Sequence, residues 1–314
     1  MKIKLFTHTD LDGVSCGVVL NYLNPTADIK ILFCDYDNIN DEVERFLSSK
    51  SYKIYDRVFI TDISVNNKVA ALIDNVSKNS STIFTLLDHH VTADWLNKYS
   101  WAKVQTNYSD GTGTCGTSLL YDYFDSMCDI NEPCLGQFVT YVRLWDTWEW
   151  TKDKSKFRMS EYLSLLLNTM CKAEFIDTII WTLEHNCEDG QFLLSDESLN
   201  IVHKEIEHRN AHVQNALNTA QIIDDYARGV TFACVFSDDY ESEIGNQLCI
   251  QNPGIMYAVI INLKSKTISF RTTSDSFNVA VELAIPLGGG GHPKSAGCPI
   301  TKSDKDIMRF FLNM

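Results

Sequence analysis

The sequence predicts an α/β protein: a larger domain on a parallel sheet, a helical connector, and a smaller α/β domain. Three observations carry that expectation. Short β-branched or apolar runs alternate with helically spaced stretches through the first ninety residues. A charged segment of helical character follows much later, and strand signal returns after Gly229. A length of 314 residues suits two domains at roughly 150 each and buries a sizeable core without disulfides.

In chain order, Lys2–Thr7, Asp28–Cys34, Arg57–Thr61 and Thr82–Leu87 have strand length and composition. Val14–Leu23, Asp41–Leu47 and Asn67–Val76 lie between them with helical spacing. Such alternation makes the strands parallel, with helices on both faces of the sheet. Thr114 to Leu167 reads as mainly helical, in Leu119–Phe124, Gly136–Leu144 and Glu161–Leu167. A polar patch, Glu188–Gly190, precedes a connector helix expected over Asp196–Asp225. Beyond Gly229, strands are expected at Val230–Phe236, Met256–Leu263 and Thr267–Arg271, with a helix at Ile244–Gln251. The expected domains are therefore 1–190 and 229–314, joined by 191–228.

Lys and Arg total 27 against 41 Asp and Glu, a net charge of −14. That surface repels phosphate backbones and argues against gripping a long nucleic acid by charge. A small phosphorylated ligand, or a metal drawing on several carboxylates, remains compatible. The ten cysteines include no C-x-x-C, and their closest pair is Cys128 and Cys134. They read as reduced, mostly buried thiols of a cytoplasmic protein. The M-K-I-K-L-F-T start is too short and too soon charged for a secretory signal, and no apolar run approaches the ~20 residues that span a bilayer.

The acidic and histidine clusters fall at strand ends. Asp10 and Asp12 (T-H-T-D-L-D-G) follow the first strand, Asp62 (F-I-T-D-I-S) the third, and Asp88, His89 and His90 (T-L-L-D-H-H) the fourth. An open parallel sheet brings such residues together at its carboxyl edge, where ligands bind. Any one cluster is as readily a solvated loop or a helix cap; Asp12 before Gly13, for instance, suits a cap. Three clusters at three strand ends point instead to a site. Carboxylates so gathered repel one another, and a divalent cation relieves the conflict. Hard oxygens with imidazoles suit two cations sharing a carboxylate, Mn²⁺ above Mg²⁺, Co²⁺ or Zn²⁺, able to activate water at a phosphoryl centre.

These motifs resemble those of the DHH phosphoesterases: D-x-D, a lone Asp after a strand, and D-H-H. Asp146 in V-R-L-W-D-T-W-E-W matches the family's fourth acidic motif, and Gly111–Ser118 (G-T-G-T-C-G-T-S) looks like the stretch between motifs three and four, opening a helix whose N–H groups favour an anion. Gly288–Gly297 (G-G-G-G-H-P-K-S-A-G) resembles the signature of the DHH-associated C-terminal domain. Glycines there let backbone N–H groups approach a phosphate. Among the branches, H-T-D-L-D-G-V-S-C-G and L-W-D-T-W-E-W look most like the NrnB-type oligoribonucleases.

The resemblance implies a metal-ligand set of Asp10, Asp12, Asp62, His89 and Asp146, with Asp62 bridging. It implies that Asp88 orients a ligand and that His90 contacts the scissile phosphate. Arg271, Gly289, Gly290, Gly291 and His292 hold phosphate oxygens, and substrate lies between the domains. Several family members have a ligating histidine four residues before the first Asp; here that position is Phe6, with His8 two residues before it. His8 is thus a ligand, a substrate contact or merely a strand end. The expected reaction is hydrolysis of very short oligonucleotides to mononucleotides. The alternatives are a cyclic or linear dinucleotide or a nucleoside bisphosphate as substrate, RecJ-like digestion of long strands, a pyrophosphatase, and a non-catalytic nucleotide sponge. His203, His208 and His212 read as a solvated helix face. Trp145, Trp148 and Trp150 read as packing, with one ring a candidate to stack on a base.

Overall fold

In the computed structural model, which describes residues 1–300, the chain divides into two units, the first spanning Met1–His203 and the second beginning at Lys204. Residues 301–314, the end of the expected C-terminal domain, lie outside the described residues.

The first unit is built on strands β1 (Lys2–Thr7), β2 (Asp28–Phe33), β3 (Arg57–Thr61), β4 (Ile83–Asp88) and β5 (Ala102–Val104). They pair in the order β2-β1-β3-β4-β5, every pair parallel. Helices α1 (Leu11–Leu23), α2 (Ile39–Ser48) and α3 (Asn67–Asn79) connect them, so the expected alternation is present. The two-residue period sorts the faces. Phe6, Val58, Ile60, Phe84 and Leu86 pack with Val43, Val69 and Ile73 of α2 and α3. On the other face, the Phe59 ring meets Tyr123 and Phe124 of α4 (Gly116–Cys128), with centroids 5.7 and 5.9 Å apart. Helix α1 is apolar on nearly all sides because it is enclosed: every residue from Leu11 to Leu20 is buried. It packs against α4, α5 (Pro133–Asp146) and α7 (Lys172–His185), with α6 (Arg158–Asn168) between the last two in sequence.

A short hairpin, β6 (Cys187–Glu188) and β7 (Gln191–Phe192), accounts for the polar patch. Its two turn residues, Asp189 and Gly190, have φ of 50° and 75°, the conformation that makes Asp-Gly a hairpin signal. Cys187 in this hairpin forms a disulfide with Cys134 on α5, correcting the expectation of ten reduced thiols. A separation of 53 residues leaves no local spacing from which the pair can be read.

The expected connector helix is α8 (Asp196–Thr219), and it stops short of Asp225. Gln221–Asp225 is instead β8, paired antiparallel with β9 (Val230–Phe236). The charges of Asp224 and Asp225 favour a polar helix locally, but Ile222 and Ile223 gain a ladder that only the partner strand supplies. The second unit continues with α9 (Glu241–Gln251), β10 (Tyr257–Asn262), β11 (Thr267–Arg271), β12 (Gly290–His292) and β13 (Ser295–Pro299). Its strands run in the order β12-β13-β11-β10-β9-β8, mostly antiparallel, around buried Phe232, Tyr257, Val259 and Phe270. Among the described residues no helix is long and apolar enough to cross a membrane.

Candidate active site

All three strand-end clusters meet at the carboxyl edge of the parallel sheet. Asp10 caps α1, its carboxylate accepting from Gly13 N at 3.1 Å, so the capping acid is Asp10 rather than Asp12. Asp12 is buried in the first turn, and its oxygens accept from Gly116 N (2.5 Å) and Thr117 N (2.8 Å). The N-terminus of α4 does hold an anion, as expected of the glycine-threonine segment, and that anion is the side chain of Asp12. Gly116 permits this approach: a Cβ there would lie 2.6 Å from Asp62 Cβ and 2.9 Å from Asp62 N.

His89 sits among the acids, with Nε2 3.1 Å from Asp62 Oδ1 and 4.0 Å from Asp12 Oδ2, and Nδ1 3.5 Å from Asp146 Oδ2. Asp146 is the last residue of α5, an end where the helix dipole disfavours a carboxylate, so something other than local helix stability places it there. His8 Nδ1 lies 2.9 Å from Asp10 Oδ2 and 3.7 Å from Asp62 Oδ2. Phe6, the alternative position, is a core residue. Asp88 Oδ1 accepts from the backbone N–H of His89 and His90 and lies 2.7 Å from His90 Nδ1, which fixes the loop and turns His90 Nε2 outward.

Side-chain atoms able to ligate a metal therefore gather in three overlapping groups: His8, Asp10 and Asp62; Asp12, His89 and Asp146; and Asp62, Asp88, His89 and His90. Asp62 belongs to the first and the third. Its Oδ2 is buried with no hydrogen-bond partner among the described residues, which is costly for a carboxylate unless a cation faces it. These oxygen and imidazole donors fit divalent cations of the Mn²⁺ type.

The electrostatics agree. Burial, then the charges of Asp12 and Asp10, push Asp62 well above the usual carboxylate range. The same causes raise Asp146 to about 8. Burial works against ionised Asp10 too, but the His8 hydrogen bond and charge outweigh it and bring Asp10 to about 2. The hydrogen bond to Asp88 raises His90, whereas burial lowers His89. In metal-free protein the two raised carboxyls bind more protons folded than unfolded. Their contribution to stability is present below an unfolded pKa of about 4 and is lost as pH rises toward about 8. Melting in EDTA is expected to weaken across that window, and Mn²⁺ is expected to raise the melting temperature more at pH 8 than at pH 5. An increment independent of pH would contradict a metal bound through these acids.

In the second unit, Arg271 ends β11 and pairs in register with Ser295 of β13, which pairs with His292 of β12. Arg271 and His292 thus occupy one row of one sheet, two strand spacings apart, and in-register neighbours project to the same face. Arg271 donates to Ser242 Oγ at 2.5 Å and to Phe270 O at 2.8 Å. The amide of Gly289 donates to Ala284 O at 2.8 Å, and Gly290 and Gly291 lie in edge strand β12. Gly291, at φ 139°, has a backbone that L side chains rarely adopt. Lys294 pairs with Asp275 at 2.6 Å.

Sequence reasoning missed Tyr36, whose hydroxyl lies 3.1 Å from His90 Nε2, and Asp35, 3.8 Å from His8 Nε2. Both follow the second strand in C-D-Y-D, the same strand-end signal that identified the other clusters. Ser242 carries no such mark. His212 is held at 2.8 Å by Ser237, and Tyr240 OH bonds Glu205 and lies 3.5 Å from His208, so these connector histidines join a polar network within the second unit rather than a purely solvated face.

Comparison with known proteins gives the fold first. The chain superposes on the pGpG-specific phosphodiesterase PggH of Vibrio cholerae with a TM-score of 0.55 at 14% identity, covering 99% of this chain and 97% of that one. An exonuclease RecJ bound to manganese superposes with a TM-score of 0.52 at 13% identity, covering 98% and 88%. No family model matches the chain. The fold is that of the RecJ-type phosphoesterases. In sequence, the chain is 32% identical to oligoribonuclease NrnB of Bacillus subtilis (strain 168) over 301 residues, 95% of this chain and 72% of that protein. The chain belongs to the DHH phosphoesterase family.

Proposed function

We propose that this protein is a divalent-metal-dependent phosphodiesterase that hydrolyses very short oligonucleotides to mononucleotides. The observation that carries the reading is the gathering of three ligand groups at one sheet edge, in a chain similar along most of its length to an oligoribonuclease. His8, Asp10, Asp12, Asp62, His89 and Asp146 would hold two Mn²⁺ ions, with Mg²⁺ or Co²⁺ as substitutes and Asp62 shared. Such ions would lower the pKa of water and neutralise charge developing on phosphorus.

The chain's own residues do the rest. Asp12 is locked by the α4 amides and Asp88 locks the D-H-H loop, so the ligands are held before substrate arrives. His90, whose protonated form Asp88 favours, donates from Nε2 to a phosphate oxygen. The first unit, Met1–His203, forms the catalytic part and the second, from Lys204, the substrate-binding part, with β8 inside the second rather than in a connector. In the latter, Arg271, Gly290, Gly291 and His292 hold the phosphate, with Gly289 allowing the close backbone turn. Hydrolysis joins a water oxygen to phosphorus, breaks the bond to the leaving ribose oxygen and returns a proton to that oxygen.

The net charge of −14 gives an extended strand no electrostatic gain beyond the clamp. With Mn²⁺ and a panel of RNAs, cyclic dinucleotides and nucleoside bisphosphates, RNAs of two to about five nucleotides are expected to react fastest, fewer than a single OB fold often holds. Equal rates on two- and twenty-nucleotide RNA would favour long-strand digestion. Nucleotide recovered intact from a stoichiometric complex would favour a sponge. Arg271→Ala is expected to slow dinucleotide turnover about 10- to 100-fold, the equivalent of a charged hydrogen bond worth ~1.5–3 kcal/mol.

A further inference from the structure

A cavity adjoins the acidic and histidine cluster within the first unit. It has a volume of about 570 Å³ and is lined by Asp10, Phe33, Trp145, Asn168 and Lys172, among others. That volume falls in the roughly 300–1,000 Å³ range of small-molecule sites. We propose that it is the pocket for one nucleobase of the substrate, with Trp145 and Phe33 as its aromatic walls. The inference rests on the phosphodiesterase reading and assigns the base contacts which that reading leaves open.

Position argues first. The cavity shares Asp10 with the ligand cluster, and Trp145 directly precedes Asp146 at the end of α5. A nucleotide whose phosphate lies at the cluster therefore has its sugar and base within reach of this cavity. The walls argue second. The Trp145 ring is braced by Trp148 and Trp150, nearly parallel at centroid distances of 6.2 and 5.0 Å. Phe33 carries Lys172 Nζ 5.6 Å from its ring centre. Rigid aromatic rings accept the face of any base. Polar groups complete the site. Ser164 and Asn168 also line it, and neither side chain hydrogen-bonds another described residue, so both are available to a base edge.

Met170 and Cys171 of the α6–α7 turn and Ala173 in the first turn of α7 close the cavity. Ala173 is exposed and distant in sequence from every ligand of the cluster, so a larger side chain there fills the cavity without replacing a ligand. The experiment compares kcat/KM of Mn²⁺-loaded protein on a diadenosine dinucleotide and on its analogue abasic at one end, for the parent and for Ala173→Trp. The parent is expected to prefer the dinucleotide at least about tenfold, near the lower part of the range for stacking on one base. Ala173→Trp is expected to collapse that preference toward one, chiefly through KM. A second readout needs no metal: adenosine 5′-monophosphate in EDTA should quench tryptophan fluorescence of the parent and not of Trp145→Phe.

Equal rates on the two substrates with the parent protein, or a preference untouched by Ala173→Trp, would overturn the base pocket and leave the phosphodiesterase reading standing. Turnover of neither substrate would instead refute that reading. Abasic substrate cleaved as well as dinucleotide, but only when it carries a terminal phosphate, would show that Lys172 and the start of α7 receive a phosphate, and would also overturn the base assignment.

Discussion

Asp62→Asn is expected to lower dinucleotide turnover by at least about 10³-fold, since Lewis-acid stabilisation of several kcal/mol converts to that factor. Asp62 is shared between two ligand groups, so its loss weakens both. Asparagine is the informative replacement. Asp62 has φ 57°, a left-handed conformation that Asp and Asn tolerate and that costs other L residues roughly 1–2 kcal/mol. Asn keeps the backbone and the size of the side chain and removes only the charge. The metal-free variant should be no less stable than the parent at pH 8, because a buried carboxyl flanked by Asp10 and Asp12 has become neutral. Turnover within tenfold of the parent at saturating Mn²⁺ would remove Asp62 from the shared position. His8→Ala is the companion: an unchanged Mn²⁺ stoichiometry would place His8 outside the ligand set despite its 2.9 Å contact with Asp10.

Gly116→Ala is expected to reduce turnover about 10²-fold, because catalytic geometry tolerates displacements of well under 1 Å. The added methyl would sit 2.6 Å from Asp62 Cβ, 2.9 Å from Asp62 N and 3.0 Å from Asp12 Oδ2. Asp62 N and Cβ cannot swing away and Asp12 Oδ2 is held by the α4 amides, so either α4 or the β3 turn has to move. A move of α4 pulls its amides from Asp12; a move of the turn displaces Asp62. Overpacking of this kind costs about 1–3 kcal/mol, read as a lower melting temperature. Gly136→Ala in α5 is the control: among the described residues its methyl meets Tyr121 OH alone, at 3.6 Å, and should leave turnover intact. Parent-like activity in Gly116→Ala would mean that the contact between α4 and the acids does not position them.

Four of the five strands of the larger sheet were legible because their information is local; the three-residue β5 (Ala102–Val104) carries too short a run to be read. Lys2–Thr7 and Arg57–Thr61 appear with the predicted bounds, and Asp28–Phe33 differs by one residue. Each of the four carries its own apolar run, and chain direction alone determines which end is the carboxyl edge. That is why Asp10, Asp12, Asp62, Asp88, His89 and His90 could be assigned to one place before any contact was known. Asp146 was legible only through resemblance, since an acid at a helix end among tryptophans has no local signature. Tyr36 was overlooked although it obeys the same strand-end rule, because neither the charge pattern nor the metal chemistry marks a tyrosine.

By itself, then, the sequence determined the strand–helix alternation, the edge where the acids converge and the strand that ends in Arg271, because hydrophobic period and chain direction are properties of neighbouring residues; the strands that put His292 in one row with Arg271 were not read from it. Only the tertiary structure decided the rest. Gln221–Asp225 became a strand because β9 offers it a ladder. Asp12 was fixed by amides 104 and 105 residues away, and Cys134 met Cys187 across 53 residues. His8 joined the ligand cluster because its ring reaches Asp10 and Asp62, two acids from different strand ends. In each case the partner is distant in sequence, and for the polar groups the physical reason is the same. A buried polar group needs its partner in space, and the partner's position is a property of the whole packed chain rather than of the segment that carries the group.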